Sequence, residues 1–126
     1  MMAFDAYKIL DEREAGSVID LIAPCMDDYL YIIDLKNDTL RISQSAVERF
    51  MLPDKFMNDA TKHLRTLVYE KDRKLLENHK RKIYDGKEKR YNVLCRLMNS
   101  KNLPVWINCR GEVINDEAGK PRYIIG

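Results

Sequence analysis

Long apolar runs are missing from this 126-residue chain; the longest, Tyr29 to Ile33, falls far short of the roughly 18 residues a membrane span requires. A basic start is missing too. Asp5, Asp11, Glu12 and Glu14 occupy the first segment, so no secretory signal peptide is expected in it. Cysteine is scarce: Cys25, Cys95 and Cys109 are an odd number without short paired spacings. That excludes a disulfide framework and a cysteine-rich zinc site, and leaves reduced thiols in a cytoplasmic chain. Two histidines, His63 and His79, are too few for a metal site without carboxylates. Five Gly and four Pro exclude collagen-like and low-complexity classes. A charge excess is also lacking. Twenty-two bases against twenty acids leave +2, too little for nucleic-acid binding by bulk charge.

Catalytic signatures are absent as well. The chain has no Gly-rich phosphate loop, no nucleophile elbow and no His-Glu-x-x-His pair. The acid pairs Asp11-Glu12 and Asp27-Asp28 are adjacent in sequence, so they do not converge on one substrate. The expectation is a regulatory domain, not an enzyme.

What is present fits one globular domain of 14.8 kDa, with 45% apolar and 33% charged residues. Charge is uneven along it. Residues 1–28 hold seven acids against two bases, a net of −5, and residues 70–90 hold nine bases against five acids, a net of +4. Such segments attract, within a chain or across a dimer, unless both are simply solvated helix faces.

Periodicity divides the chain into helix, two strands, helices and three strands. Residues 3–14 read as a helix with Phe4, Tyr7 and Leu10 on one side. Gly16 interrupts it, and Ser17 with Asp20 reads as a new helix start before Val18, Leu21 and Ile22. Tyr29–Leu35 and Thr39–Ser43 read as a hairpin around Asn37-Asp38. Ser45–Met51 and 56–67 read as short helices, and Glu70–Tyr84 as a long one with apolar Leu75, Leu76, His79 and Ile83. Its acidic start, basic last turn and Asp85-Gly86 stop complement the helix dipole. Arg90–Met98, Val105–Cys109 and Tyr123–Gly126 read as strands, with turns at Asn99–Asn102 and Asp116–Lys120.

Alternation assigns faces. Tyr91, Val93, Cys95 and Leu97 share the purer apolar side of one strand, and Val105, Ile107 and Cys109 that of the next. These point inward under the helices, as do Tyr31 and Ile33 if Asp34 points out. The outer side still carries Leu30, Ile32, Leu94, Met98, Trp106 and Ile125, an apolar area that needs a cover. The N-terminal helical segment, with Phe4, Tyr7, Leu10, Leu21 and Ile22, is the available cover, for its own sheet or a partner's.

The stretch Val105-Trp-Ile-Asn-Cys-Arg-Gly-Glu-Val-Ile-Asn-Asp-Glu-Ala-Gly-Lys-Pro-Arg-Tyr-Ile-Ile-Gly126 resembles the C-terminal part of a PAS domain. Val68-Tyr69-Glu70-Lys71-Asp72-Arg73 resembles the start of that family's long helix, with Tyr-Glu in place of His-Pro, and Tyr29-Leu-Tyr-Ile-Ile-Asp34 its first strand. The resemblance spans about residues 28–126 and implies an α+β fold: a five-stranded antiparallel sheet with helices on one face, here with an added N-terminal helix. It divides the chain into an N-terminal helical segment at 1–26 and a sensor domain at 27–126. Ser43-x-Ser45-Ala46-Val47, Leu52-Pro53 and Trp106-Ile-Asn-Cys-Arg-Gly111 are similar to modules ahead of GGDEF and EAL domains, which make or break cyclic di-GMP in bacteria. That implies a fragment of a larger signalling protein whose output domain follows Gly126. The alternative is an unliganded dimerisation module of a sensor histidine kinase or transcription regulator.

The expected ligand site lies between sheet and helices, lined by Tyr31, Ile33, Leu67, Leu76, His79, Val93, Cys95, Leu97, Ile107 and Cys109. Flavin photochemistry is not expected: Asn108-Cys109-Arg110 lies on a strand, and residues 54–67, where light sensors carry their cysteine, have none. Haem is not expected either, because His79 fits the helix stripe as packing. The basic run Lys80-Arg81-Lys82 and Lys87–Arg90 reads as a solvated helix end without aromatic platforms, so no nucleic-acid partner is expected. The expected partner is a second copy, through the N-terminal helix and outer sheet face, with no membrane segment in this stretch.

Overall fold

The computed structural model of the chain describes residues 12–126. Helix α1 (Glu12–Ile22) and a 3-10 turn (Ala23–Cys25) lead into β1 (Tyr31–Asp34) and β2 (Thr39–Ile42). Then come α2 (Gln44–Phe50), β3 (Phe56–Met57), α3 (Ala60–Leu67), a 3-10 turn (Glu70–Asp72) and α4 (Arg73–Tyr84). Three strands finish the domain: β4 (Arg90–Met98), β5 (Pro104–Asn115) and β6 (Pro121–Ile125). They form one antiparallel sheet in the order β3-β2-β1-β6-β5-β4. The first hairpin and the last three strands therefore meet at the centre, where Ile33 pairs with Ile124.

The turns follow from their side chains. Asn99 Oδ1 accepts from the Lys101 and Leu103 amides, and Asn102 takes φ 59°. Asp116 Oδ1 accepts from the Ala118 and Lys120 amides, and Gly119 sits at φ 81°, where a side chain would strain the backbone. Both short polar residues form local turns that substitute for ladder bonds. Asp34 closes the first hairpin by accepting from the Lys36 and Asn37 amides.

Several sequence expectations change. The sheet has six strands, because Phe56 and Met57 pair with Arg41 and Leu40. The helix expected over 56–67 therefore starts at Ala60. Its N-terminus is capped from a distance: Asp38 Oδ1 accepts from the Thr61 amide at 2.9 Å and its hydroxyl at 2.7 Å, and the Asp38 carbonyl accepts from the Ala60 amide. A carboxylate there also complements the helix dipole. The strand expected over Val105–Cys109 extends to Asn115, since β6 pairs with its second half.

Gly16 does not interrupt: α1 runs from Glu12 through Ile22. A mid-helix glycine costs only about 1 kcal/mol, and here it makes room. A Cβ at Gly16 would lie 2.8 Å from Arg41 Nη1, so the bare backbone lets the Arg41 side chain cross. The expected residues Phe4, Tyr7 and Leu10 lie outside the described range.

Part of the outer face is covered by this chain's own α1. Ile19, Ile32 and Tyr123 form a buried cluster with Ala15, Leu30, Ile114 and Ile125 around it. The packed side of the helix is thus Ala15 and Ile19. Leu21 and Ile22, expected as the cover, are 76% and 43% exposed. Leu75, expected on the apolar stripe of α4, is also exposed, whereas Ile83 is fully buried. Of the acidic segment, Asp5 and Asp11 lie outside the described residues; Asp20 meets Lys55 at 3.2 Å, where both are exposed and the pair adds little.

Two carboxylates are buried with arginines. Asp34, at the outer side of β1, is 1% exposed and takes a two-pronged bond from Arg122 at 3.0 Å each. Asp72 accepts from Arg96 three times: the amide at 2.7 Å, Nε at 2.9 Å and Nη2 at 2.8 Å. These pairs tie the hairpin turn to β6 and the start of α4 to β4.

Candidate functional site

The helices α2 and α3 pack on the inner side of the sheet. Two buried clusters hold the layers together at one end: Leu40, Met57 and Ala60, and next to them Ala46, Phe50 and Leu67. Residues of both clusters also border a cavity of about 930 Å3 between the layers. Cores pack at crystal-like density, so a gap of this size is not ordinary interior. It lies within the roughly 300–1,000 Å3 of small-molecule sites.

Of the ten expected site residues, Tyr31, Ile33, Leu67, Leu76, Cys95, Leu97, Ile107 and Cys109 line this cavity. Their alternation explains why. Odd-numbered positions of β1, β4 and β5 face the helices, while Leu94 lies on the other side at 59% exposure; Trp106, 60% exposed, also borders the cavity. Val93 and His79 are not among the lining residues. Val93 is buried, paired with Cys109 across the strands. His79 packs edge-on against Tyr91, with ring centroids 5.7 Å apart. This contact fits the packing role assigned to His79 from its stripe position.

Lining residues missed from the sequence include Leu40, Phe50, Leu64, Ile83 and Tyr91. Tyr91 was legible: it shares the inward alternation of Cys95 and Leu97. Phe50 and Leu64 lie on short amphipathic helices whose distance from the sheet no local pattern encodes.

Most of the lining surface is apolar, aliphatic and aromatic, but charged side chains border it as well, among them Asp38, Arg49, Arg65, Glu77 and Arg90. The Tyr31 hydroxyl makes a long 3.4 Å contact to the Arg110 carbonyl. Burial pushes the Tyr31 and Tyr91 phenols well above their ordinary value, so both stay protonated and can donate a hydrogen bond into the cavity. The Cys95 and Cys109 sulfurs lie 3.8 Å apart. Their hydrogen bond and burial push the Cys95 thiol up, while the same bond draws Cys109 down against the effect of burial.

A polar strap spans the rim between α3 and α4. Lys80 Nζ donates to Thr61 Oγ1 at 2.9 Å and lies over the Tyr84 ring at 5.7 Å. Burial, then the nearby Asp38 charge, raises the Tyr84 phenol. Through Asp38 and Thr61 this strap is continuous with the cap of α3.

Among the described residues, no group of three or more His, Cys, Asp or Glu side chains is gathered to hold a metal ion. No described helix is long and apolar enough to cross a membrane.

Comparison with known proteins agrees with this architecture. The family model for the PAS fold matches residues 43–126, two thirds of the chain. A sensory box histidine kinase/response regulator from Burkholderia thailandensis E264 superposes with a TM-score of 0.66 at 15% identity, covering 84% of this chain and 78% of that one. The N-terminal domain of a diguanylate cyclase with PAS/PAC sensor from Marinobacter aquaeolei gives 0.66 at 15% identity, covering 78% and 89%. A PAS domain from Colwellia psychrerythraea gives 0.62 at 11% identity, covering 90% and 92%. No curated protein sequence matches the chain.

Proposed function

The chain belongs to the PAS fold family, and on that premise we propose that it is a sensory domain whose cavity takes a small, largely apolar molecule. One observation carries this reading: Tyr31, Ile33, Ile107 and Cys109, inward residues that a filled core would bury, are only half-buried around a space of about 930 Å3. The Tyr31 and Tyr91 phenols suit a ligand with a hydrogen-bond acceptor. A ligand that binds two arrangements of the domain unequally shifts their populations, and the shift passes through the sheet to its outer face.

On this reading the domain regulates and does not catalyse. It belongs to a larger cytoplasmic bacterial protein with a cyclic di-GMP output; the Ser43–Val47 and Trp106–Gly111 motifs support this, as does the likeness to a domain of a diguanylate cyclase. Residues 1–26 and the outer sheet face pair two copies. Leu94 and Trp106, exposed beyond the cover of α1, supply the free apolar area.

The test is uptake of an environment-sensitive apolar dye, alongside native mass spectrometry of the purified protein. One saturable site is expected, weakened at least about tenfold by Ile107→Trp, which fills the cavity. No uptake and no retained molecule would refute the ligand reading and leave a dimerisation module. Uptake that the substitution does not change would move the site elsewhere.

A further inference from the structure

Cys95 and Cys109 face the cavity from neighbouring strands. Val93 pairs with Cys109 and Cys95 with Ile107, so the two cysteines are diagonal neighbours on the inner face. Their sulfurs are 3.8 Å apart, and both thiols are free. They differ in surroundings. Cys95 is fully buried, whereas Cys109 is half-buried on the cavity wall. Cys25, the third thiol, is exposed on the 3-10 turn after α1.

We propose that Cys95 and Cys109 form a reversible peroxide-responsive dithiol, in which Cys109 is oxidised first and Cys95 resolves it. The Cys109 thiolate attacks the outer oxygen of a peroxide; the O–O bond breaks, an alcohol or water leaves, and Cys109 becomes a sulfenic acid. The Cys95 sulfur then attacks the Cys109 sulfur. The S–O bond breaks, and the departing hydroxide takes up the Cys95 proton as water. Two thiols and one peroxide thus give one disulfide, one water and one alcohol, or a second water when the oxidant is hydrogen peroxide. The two electrons come from the sulfurs.

Three features support this order. Cys109 borders the space through which a peroxide arrives. Once Cys109 is ionised, the Cys95 thiol 3.8 Å away donates to its sulfur, which favours the Cys109 thiolate. Cys95 has no exposure of its own, so it suits the second step. Closing the pair requires the sulfurs to approach from 3.8 Å to about 2.05 Å, and diagonal neighbours, roughly 7–8 Å apart, reach this only with some movement of the strands' backbone. A bond between diagonal neighbours is strained relative to preferred disulfide spacings, which makes it readily reducible. Labile disulfides of this kind regulate more often than they brace. The dithiol stands independently of the ligand reading, because it requires the sulfurs and access, not a bound molecule.

The test uses the full chain carrying Cys25→Ser. After graded hydrogen peroxide, free thiols are alkylated and peptides mapped by mass spectrometry. The expected result is joint loss of both alkylatable thiols, a loss of two hydrogens in intact mass, and a Cys95–Cys109 linked peptide that dithiothreitol abolishes. In addition, Cys95→Ser should stop at a dimedone-reactive Cys109. Two results would overturn the proposal: both thiols remaining free at doses that oxidise Cys25 of the parent chain, or Cys109 passing to sulfinic acid with Cys95 still alkylatable. Circular dichroism of each variant establishes that it is folded before exposure.

Discussion

Replacing Ile19 with alanine separates two ways in which the outer sheet face can be covered. Ile19 is 7% exposed and touches the buried cluster of Ile32 and Tyr123. The change removes three carbons, worth about 2.4 kcal/mol at roughly 0.8 kcal/mol per buried methylene. A residual cavity adds to that, as core Ile→Ala costs of about 2–5 kcal/mol show. Two effects reduce it: the site is near the surface and can partly collapse, and alanine is the better helix former by a few tenths. We expect a loss of about 2 kcal/mol, or about 8 °C in Tm for a domain of this length. Leu21→Ala, on the exposed side of the same helix, should stay within about 0.5 kcal/mol. Urea unfolding followed by circular dichroism measures both. Since the contact is within one chain, the loss should be the same across a hundredfold range of protein concentration. Equal effects of the two substitutions would refute the packing described. A loss that varies with concentration would show that α1 covers a partner's sheet instead.

Acid sensitivity should fall in Asp72→Asn. The hydrogen bonds from Arg96 hold the Asp72 carboxyl below its ordinary value, so its stabilisation is full above about pH 4 and is lost as pH falls through the folded value. Unfolding between pH 6 and 3 should therefore show a steeper stability loss in the parent than in the variant, and parallel curves would contradict this. Gly111→Ala should destabilise by about 1–3 kcal/mol, because its Cβ would lie 2.9 Å from Ile124 Cγ2 and 3.1 Å from the Ile125 carbonyl; an unchanged Tm would refute the close approach. Trp106 is the single tryptophan and is 60% exposed, so acrylamide should quench its fluorescence strongly in dilute protein. Pairing through the outer face should reduce that quenching as concentration rises, and constant quenching up to the dimeric range would exclude β4 and β5 from the interface.

The sequence by itself determined that the last third is three strands and which way their side chains alternate, though not that the middle one runs past Cys109 to Asn115. Arg90–Met98 is the strand its alternation requires, and a two-residue period leaves Cys95 and Trp106 no choice of face. It also determined the turns at Asn99 and Asp116, since those side chains bond only to their own neighbours. The tertiary structure alone decided what depends on distant parts of the chain. Asp38 caps a helix 23 residues away, Arg96 reaches back to Asp72, and Arg41 crosses α1 at the bare backbone of Gly16. The cavity belongs to the same class. Periodicity shows which faces are apolar, but the separation of two apolar faces is set by how helices and sheet pack at their ends.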